Sequence, residues 1–195
     1  MFCSGQGTNL QAILDAIRAG RLRGRIGLVV SDRPDAPVLQ RARRAGVEAR
    51  YVNPKQYSTR GSYERALISL LDARKVRLVC LAGFMRVLSL VFVQHFRQRI
   101  LNIHPALLPA FTGAHAIREA LAWGAKLTGV TVHFVDEQVD HGPIILQEAV
   151  PIRPGDTERT LLARVHAVEH RLYPCAIQLV LRGRVKIVGR RVVTR

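Results

Sequence analysis

Short apolar runs alternate with amphipathic stretches along the first half of the chain, and this alternation constrains the fold more than any other feature. The apolar runs are typical of strands and cover residues 26–30, 47–52, 76–82 and 99–103. The amphipathic stretches have helical periodicity and cover residues 9–19, 36–45, 59–73 and 89–96. Gly20 and Gly46 follow the first two of them, where helix-terminating glycines are expected. Because strands that alternate with helices form parallel sheets, we predict an α/β fold with a mostly parallel, twisted sheet and helices on both faces.

The pattern changes after residue 113. Residues 126–135 and 143–150 are two extended runs joined by a turn-rich segment, which predicts an antiparallel hairpin that extends the sheet. Residues 185–188 and 191–193 predict a second, smaller hairpin at the end of the chain.

A long helix lies between these two hairpins in the sequence. Asp156 or Thr157 is suited to cap its start, and we expect the helix to be interrupted or kinked at Pro174. The chain shows no internal repeat, long linker or low-complexity segment. We therefore expect residues 1–195 to form a single domain.

Composition restricts the class of partner. The chain carries 30 Lys and Arg residues against 14 Asp and Glu residues, a formal net charge of +16. The basic residues are scattered groups of arginines with no aromatic-interleaved stripe, zinc motif or helix-turn-helix pattern. We interpret the charge as a solvated surface, part of which attracts small anions, and we expect no nucleic-acid partner.

The cysteines and the apolar runs indicate a cytoplasmic protein. Cys3, Cys80 and Cys175 are widely spaced and lack metal-ligand spacing, so we expect a reduced protein that holds no metal. No apolar run approaches the about 18 residues of a membrane span, and no signal peptide precedes the first helix. We therefore expect no association with a membrane.

Asn102 and His104 lie two positions apart at the end of the fourth predicted strand, and Pro105 ends that strand. Side chains alternate along a strand, so both point the same way, at the edge where open α/β sheets bind ligands. An amide donor, an imidazole and a carboxylate such as Asp140 suit acyl transfer to an amine. Structural roles remain open for each: strand-end hydrogen bonding, packing under Pro105, and a turn position.

A glycine-rich segment, residues 4–10, opens the first helix with the sequence Ser-Gly-Gln-Gly-Thr-Asn-Leu. The third glycine of a dinucleotide-binding loop is replaced by Leu10 and no Walker lysine follows, so a single phosphate is the favoured ligand. A purely structural turn with a capping residue explains the segment equally well. Only residues 1–3 precede it, so the expected first strand is nearly absent, which suggests a late start codon or a truncated chain.

The chain carries four separated motifs, at residues 4–11, 81–86, 101–109 and 133–147. In sequence and in order they resemble those of the phosphoribosylglycinamide formyltransferases, also called glycinamide ribonucleotide transformylases. The resemblance extends from about Cys3 to Gly183. It implies that the chain transfers the formyl group of 10-formyltetrahydrofolate, a co-substrate, to the amine of glycinamide ribonucleotide in de novo purine biosynthesis. It also implies a formyltransferase, Rossmann-like fold with a phosphate-binding half at about 1–100 and a folate-binding and catalytic half at about 81–183.

The resemblance also assigns roles to individual residues. It implies that the catalytic residues are Asn102, His104 and Asp140. It implies that the substrate-binding residues are Gly7, Thr8, Asn9, His166 and Glu169. It implies that the folate-binding residues are Arg60, Arg86, Val87 and Leu88. A solvated or paired surface charge remains the alternative for Glu169, because helical glutamates are usually exposed.

We expect Asn102 to donate its amide N–H to the tetrahedral oxyanion. We expect His104, kept protonated by the charge of Asp140, to donate a second hydrogen bond and to carry the amine proton to the leaving folate nitrogen. Thr131 and His133 share one face of their strand, where they are placed to order water around Asp140.

The sequence departs from the family pattern at residues 111–113, where Phe-Thr-Gly replaces a common aromatic-Pro-Gly turn, and at His166, whose charge is partial at neutral pH. The rival functions are another formyl-folate enzyme, either a hydrolase or a tRNA formyltransferase, and a non-catalytic nucleic-acid-binding relative. The oligomeric state is open between monomer and homodimer.

Overall fold

The computed structural model describes residues 1–194, in which strands and helices alternate as predicted. The strands are β1 (Val29–Ser31), β2 (Ala49–Tyr51), β3 (Val79–Leu81), β4 (Ile100–His104), β5 (Leu127–Phe134), β6 (Ile144–Pro151), β7 (Val185–Val188) and β8 (Arg191–Thr194). The α-helices are α1 (Thr8–Arg18), α2 (Pro37–Arg44), α3 (Arg60–Asp72), α4 (Leu90–His95), α5 (Ala116–Ala122) and α6 (Glu158–Leu181). A 3₁₀ turn covers Pro54–Gln56.

Phe2 lies in the centre of the sheet. It pairs in parallel with Val30 on one side and with Leu81 on the other, and so joins the β2-β1 pair to the six strands ordered β3-β4-β5-β6-β8-β7. The N–H of Phe2 donates to the carbonyl of Cys80 at 2.8 Å, and the N–H of Val30 donates to the carbonyl of Met1 at 2.8 Å. The few residues before the glycine-rich segment therefore occupy the position of the first strand that the sequence led us to expect.

The sheet is mostly parallel, as predicted. The β1/β2, β3/β4 and β6/β8 pairs are parallel, as are the two bridges of Phe2 to β1 and β3. In contrast, β5 runs antiparallel to β4 and β6, and β7 runs antiparallel to β8. The β5–β6 and β7–β8 pairs are the two predicted hairpins. The chain passes from the central residues to β1 and β2 on one side and to β3 and β4 on the other. The glycine-rich segment thus leaves the sheet at its topological switch point, where α/β folds bind ligands.

Helices cover both faces of the sheet. One apolar cluster contains buried residues of α1 and α6, such as Leu10 and Leu161, and the other contains buried residues of α3 and α4, such as Leu67 and Phe92. The predicted fold class, a single-domain α/β fold, is confirmed. Within residues 1–194, none of the helices combines the length and the apolar composition that crossing a bilayer requires.

The long helix α6 positions part of the site. Thr157 caps it, because its side chain accepts the N–H of Thr160. The prediction of an interruption at Pro174 is wrong, since the helix continues through this residue to Leu181. The neighbouring Tyr173 is fully buried, and its hydroxyl lies 2.8 Å from the carbonyl oxygen of Leu81. This packing against the sheet outweighs the about 3 kcal/mol that an internal proline costs a helix.

Candidate active site

Asn102, His104 and Asp140 are in contact, as the sequence led us to expect. Asn102 and His104 lie on the same face of β4, opposite His133 and Thr131 of β5. Asp140 lies in the loop between β5 and β6. Its Oδ2 is 3.3 Å from Nδ1 of His104, and its Oδ1 is 3.3 Å from Nδ2 of Asn102.

The imidazole of His104 is buried between two hydrogen-bond acceptors. Its Nδ1 faces Asp140, and its Nε2 lies 2.7 Å from the carbonyl oxygen of Phe111. Burial lowers the pKa of His104, and the opposing effects of Asp140 and of the Phe111 carbonyl only partly offset this. That Asp140 keeps His104 protonated therefore stays a prediction. The carboxylate favours the cation, but burial has the larger effect.

Asp140 is ionised. Burial raises the pKa of its carboxyl group, but hydrogen bonding with His133, the N–H of Gly113 and the neighbouring His104 outweigh burial and lower the pKa overall. The N–H of Gly113 donates to Oδ2 of Asp140 at 2.7 Å. Nδ2 of Asn102 lies 3.2 Å from Nε2 of His133, whose Nδ1 lies 2.8 Å from the carbonyl of Phe134. Nε2 of His133 therefore lies between Asn102 and Asp140, 3.7 Å from Oδ1 of Asp140.

Thr131 anchors the segment that follows His104, a role that the sequence did not predict. Its hydroxyl donates to the carbonyl of Ala106 at 2.7 Å and accepts the N–H of Leu108 at 3.1 Å. Nε2 of Gln147 lies 2.9 Å from the same hydroxyl and 2.9 Å from the carbonyl of Leu108. The anchored segment brings the Phe111 carbonyl to His104. A threonine between Val130 and Val132 of a strand is the only sequence signal for this role.

The glycine-rich segment leads directly into α1. Gly7 is the N-cap residue in the left-handed conformation, with φ of 72°, and no side chain caps the helix. A Cβ atom at Gly7 would lie 2.5 Å from a methyl group of Val38, so α2 packs against the loop too closely for any other residue. The first amides of α1, at Thr8 and Asn9, are therefore left to bind an anion.

Glu169 of α6 faces Asn9 inside the same cavity. Nδ2 of Asn9 donates to Oε2 of Glu169 at 2.9 Å, whereas Oδ1 of Asn9 is buried and has no partner among the described residues. Burial raises the pKa of Glu169 to about 7, and the hydrogen bond from Asn9 opposes this only in part. The surface-charge alternative for Glu169 is excluded, because the residue is 5% exposed.

His166 lies one turn before Glu169 and also lines the cavity. Its Nε2 is 3.9 Å from Oε2 of Glu169, and its ring stacks on that of His170 at 6.0 Å between centroids. Burial, followed by the neighbouring His170, lowers the pKa of His166.

Three of the four predicted folate-binding residues line the opposite part of the cavity, at Arg86, Val87 and Leu88. The fourth, Arg60, stands beside them on α3. Its guanidinium group donates to the carbonyl of Val87 and, at 3.1 Å, to the carboxylate of Glu64. Arg60 thus binds the backbone of the segment that contains Arg86, Val87 and Leu88.

A single cavity of about 530 Å³ connects these parts. It is lined by the glycine-rich segment and α6 on one side, by Asn102, His104 and Asp140, and by residues 82–88. Among the residues that the structure describes, no group of three or more His, Cys, Asp or Glu side chains is placed to hold a metal ion. The cavity therefore contains an anion site, hydrogen-bond donors and an imidazole that is paired with a carboxylate.

Comparisons with known proteins agree on the family. Residues 1–177 match the family described as formyl transferase. The phosphoribosylglycinamide formyltransferase of Escherichia coli (strain K12) is 44% identical over 184 residues, which cover 94% of this chain and 87% of that protein. The human trifunctional purine biosynthetic protein adenosine-3 is 47% identical over 184 residues, which cover 94% of this chain but 18% of that protein.

Solved structures agree as well. The crystal structure of glycinamide ribonucleotide transformylase 1 from Symbiobacterium toebii has a TM-score of 0.97 and 54% sequence identity to this chain, and the match covers 99% of this chain and 91% of that one. The resemblance that the four sequence motifs indicated is confirmed. The chain belongs to the formyl transferase family and, within it, to the phosphoribosylglycinamide formyltransferases.

Proposed function

We propose that this chain transfers the formyl group of 10-formyltetrahydrofolate to the amine of glycinamide ribonucleotide in purine biosynthesis. The observation that carries this proposal is the contact of Asn102, His104 and Asp140 within a cavity that also contains an uncapped helix start. The reaction needs a site for the phosphate of the ribonucleotide, a site for the flat ring of the folate and a reaction centre between them.

The nucleotide belongs on the side of α1 and α6. Its phosphate accepts hydrogen bonds from the amides of Thr8 and Asn9, next to the positive end of the helix dipole at Gly7. His166 adds a proton donor on the same side. Glu169 and the free Oδ1 of Asn9 accept hydrogen bonds from the donor groups of the glycinamide end.

The folate belongs on the opposite side. The backbone and side chains of Arg86, Val87 and Leu88 form the wall against which its ring packs. Arg86 lies over the ring of Tyr63, with 5.5 Å between the guanidinium carbon and the ring centroid. Arg60 holds this wall through the carbonyl of Val87 and contributes positive charge beside the folate's acidic tail.

The chemistry begins when the substrate amine attacks the formyl carbon. The new carbon–nitrogen bond gives a tetrahedral oxyanion, which accepts a hydrogen bond from Nδ2 of Asn102. Burial lowers the pKa of His104 and so favours the neutral form, which takes the proton of the attacking amine, and Asp140 stabilises the resulting imidazolium. The proton then passes to the folate nitrogen as its bond to the formyl carbon breaks. Nε2 of His104 exchanges its contact with the Phe111 carbonyl for the substrate during this step.

We further propose that residues 1–195 act as one formyltransferase domain, monomeric or homodimeric, without a metal ion or a nucleic-acid partner. A cytoplasmic location suits the free cysteines Cys3, Cys80 and Cys175.

The experiment that tests this proposal supplies purified protein with 10-formyltetrahydrofolate and compares three acceptors: glycinamide ribonucleotide, water and initiator tRNA. We expect formyl transfer to the ribonucleotide and a rate at least about 10²-fold lower with the other two acceptors, because Asn9 and Glu169 have donor partners only in the ribonucleotide. Asn102→Ala serves as the control and removes turnover while it preserves binding. Equal release of formate without the ribonucleotide would indicate a hydrolase instead.

A further inference from the structure

Arg190 connects the terminal hairpin to the loop that carries Asp140. This loop, residues 135–143, is called the Asp140 loop below. Ile144 at the start of β6 pairs with Arg191 of β8, which places the preceding Arg190 beside the end of the loop. One terminal nitrogen of Arg190 contacts the ring of His141, 2.8 Å from Nε2 and 3.3 Å from Nδ1, and the other donates to the carbonyl of His141 at 2.7 Å.

Asp136 completes this contact on the other side of His141. Its Oδ2 lies 2.8 Å from Nδ1 of His141, and its Oδ1 accepts the N–H of Gln138 at 3.0 Å. Because a carboxylate only accepts, Nδ1 of His141 donates to Asp136. The two ends of the loop are thus tied together through His141 and tied to the hairpin through Arg190.

The loop needs support from outside itself. Asp140 has a φ of 51°, a left-handed conformation that side-chain-bearing residues adopt at a cost. Residues 137–139 are exposed, so the tip of the loop has little packing of its own. At the end of the loop the backbone packs tightly, because a Cβ atom at Gly142 would lie 1.8 Å from the carbonyl oxygen of Phe134. On the inner side, the Asp140 carboxylate contacts the reaction centre. On the outer side, the adjacent His141 is held by Arg190.

The same loop forms part of the folate side of the cavity. Val135, at its start, packs in the apolar cluster that includes Phe84 and Leu88. Asp136 and Val139 line the cavity itself. A change in the position of the loop therefore alters the folate site and the Asp140 carboxylate together, and leaves the site at α1 unchanged.

We propose that Arg190 is a positioning residue for the reaction: by clamping His141, it holds the Asp140 loop against the bound folate donor. This inference rests on the proposed function, because it assigns the folate to the cavity side that the loop lines. Arg190 itself touches neither substrate.

The test compares Arg190→Gln with Arg191→Gln, a neighbouring exposed arginine whose loss changes the net charge equally. A hydrogen bond to a charged group is typically worth about a ten-fold change in an equilibrium constant. We therefore expect Arg190→Gln to raise the KM for 10-formyltetrahydrofolate by about ten-fold and to lower kcat by a few-fold, with the KM for glycinamide ribonucleotide within about two-fold. Arg191→Gln leaves all three constants within about two-fold of the original.

A double-mutant cycle with His141→Ala identifies the contact. The variant Arg190→Gln/His141→Ala is expected to lose less than the sum of the two single losses, because both substitutions remove the contact between the guanidinium group and the imidazole. The bond to the carbonyl of His141 is lost only with Arg190. Additive losses, or an Arg190→Gln variant with a lower Tm and an unchanged folate KM, would overturn the proposal. Equilibrium binding of 10-formyltetrahydrofolate gives the same comparison without turnover. If the unmodified protein binds the folate but forms no product, the proposed function fails while the clamp is still tested.

Discussion

Replacing Asp140 with asparagine removes the charge beside His104 and keeps the size of the side chain. The carboxylate is 9% exposed, and its Oδ2 lies 3.3 Å from Nδ1 of His104. At an effective dielectric constant of about 20, two opposite charges at such a distance attract by about 5 kcal/mol. Reorientation of the amide recovers part of this energy. We expect kcat to fall by about 10²–10³-fold, which corresponds to about 3–4 kcal/mol in the transition state.

The assay is steady-state turnover from pH 5 to 9 with both substrates saturating. Asp140→Asn is expected to lower kcat at every pH while both KM values stay within about three-fold, because the lost interaction develops only when His104 becomes charged. Asp35→Asn, an exposed aspartate outside the cavity, removes an equal charge without contact to His104 and is the matched control. A kcat for Asp140→Asn within ten-fold of the original would refute the role given to the carboxylate.

Three further substitutions address the nucleotide side of the cavity. Gly7→Ala places a Cβ atom 2.5 Å from Val38, so we expect it to lower the free energy of unfolding by about 1–3 kcal/mol and to raise the KM for the ribonucleotide. Gly5→Ala, which has no atom within 4 Å of the added Cβ, changes the stability by less than about 0.5 kcal/mol. Burial lowers the pKa of His166 and a bound phosphate raises it, so substrate binding takes up a proton and the KM for the ribonucleotide rises with pH as this histidine loses its proton. His166→Gln is expected to flatten this rise. The pKa of Glu169 is raised to about 7, so its buried carboxylate costs stability at high pH. Glu169→Gln is expected to be neutral near pH 4 and to stabilise the protein by up to about 3 kcal/mol at pH 8, while substrate binding weakens.

Each of these expectations can be contradicted directly. Equal urea unfolding curves for Gly7→Ala and Gly5→Ala would show that the loop has room beside α2. The same pH dependence of KM before and after His166→Gln would place the titrating group elsewhere. A stability difference that does not vary with pH in Glu169→Gln would mean that the carboxyl group is not the titrating group.

The sequence predicted the parts of the site that follow from local periodicity. The two-residue spacing of Asn102 and His104 requires only that β4 is a strand, and the alternating pattern established that. The loop position of Asp140 came from the resemblance to the family. The contact between His104 and the carbonyl of Phe111 could not be predicted, because a backbone carbonyl has no residue signature and its direction depends on a φ of 52° at Phe111.

The features that the sequence did not settle have a common physical cause, which is tertiary packing. The pKa of His104 depends on how completely the cavity walls bury it, and the helix through Pro174 persists because α6 packs against the sheet. The short segment before Ser4 is a nearly absent strand, as expected, and only Phe2 pairs there, with Val30 and Leu81, two neighbours that are distant in sequence. Such contacts appear only after the chain has folded.

A structure of the protein with glycinamide ribonucleotide and a non-reactive formyl-folate analogue tests the central claim most directly. We expect the phosphate at the amides of Thr8 and Asn9, and the formyl oxygen about 2.7–3.1 Å from Nδ2 of Asn102. The substrate amine should then lie within hydrogen-bond reach of His104. A formyl carbon bound outside the reach of Asn102 and His104, or a phosphate bound away from the start of α1, would contradict the account.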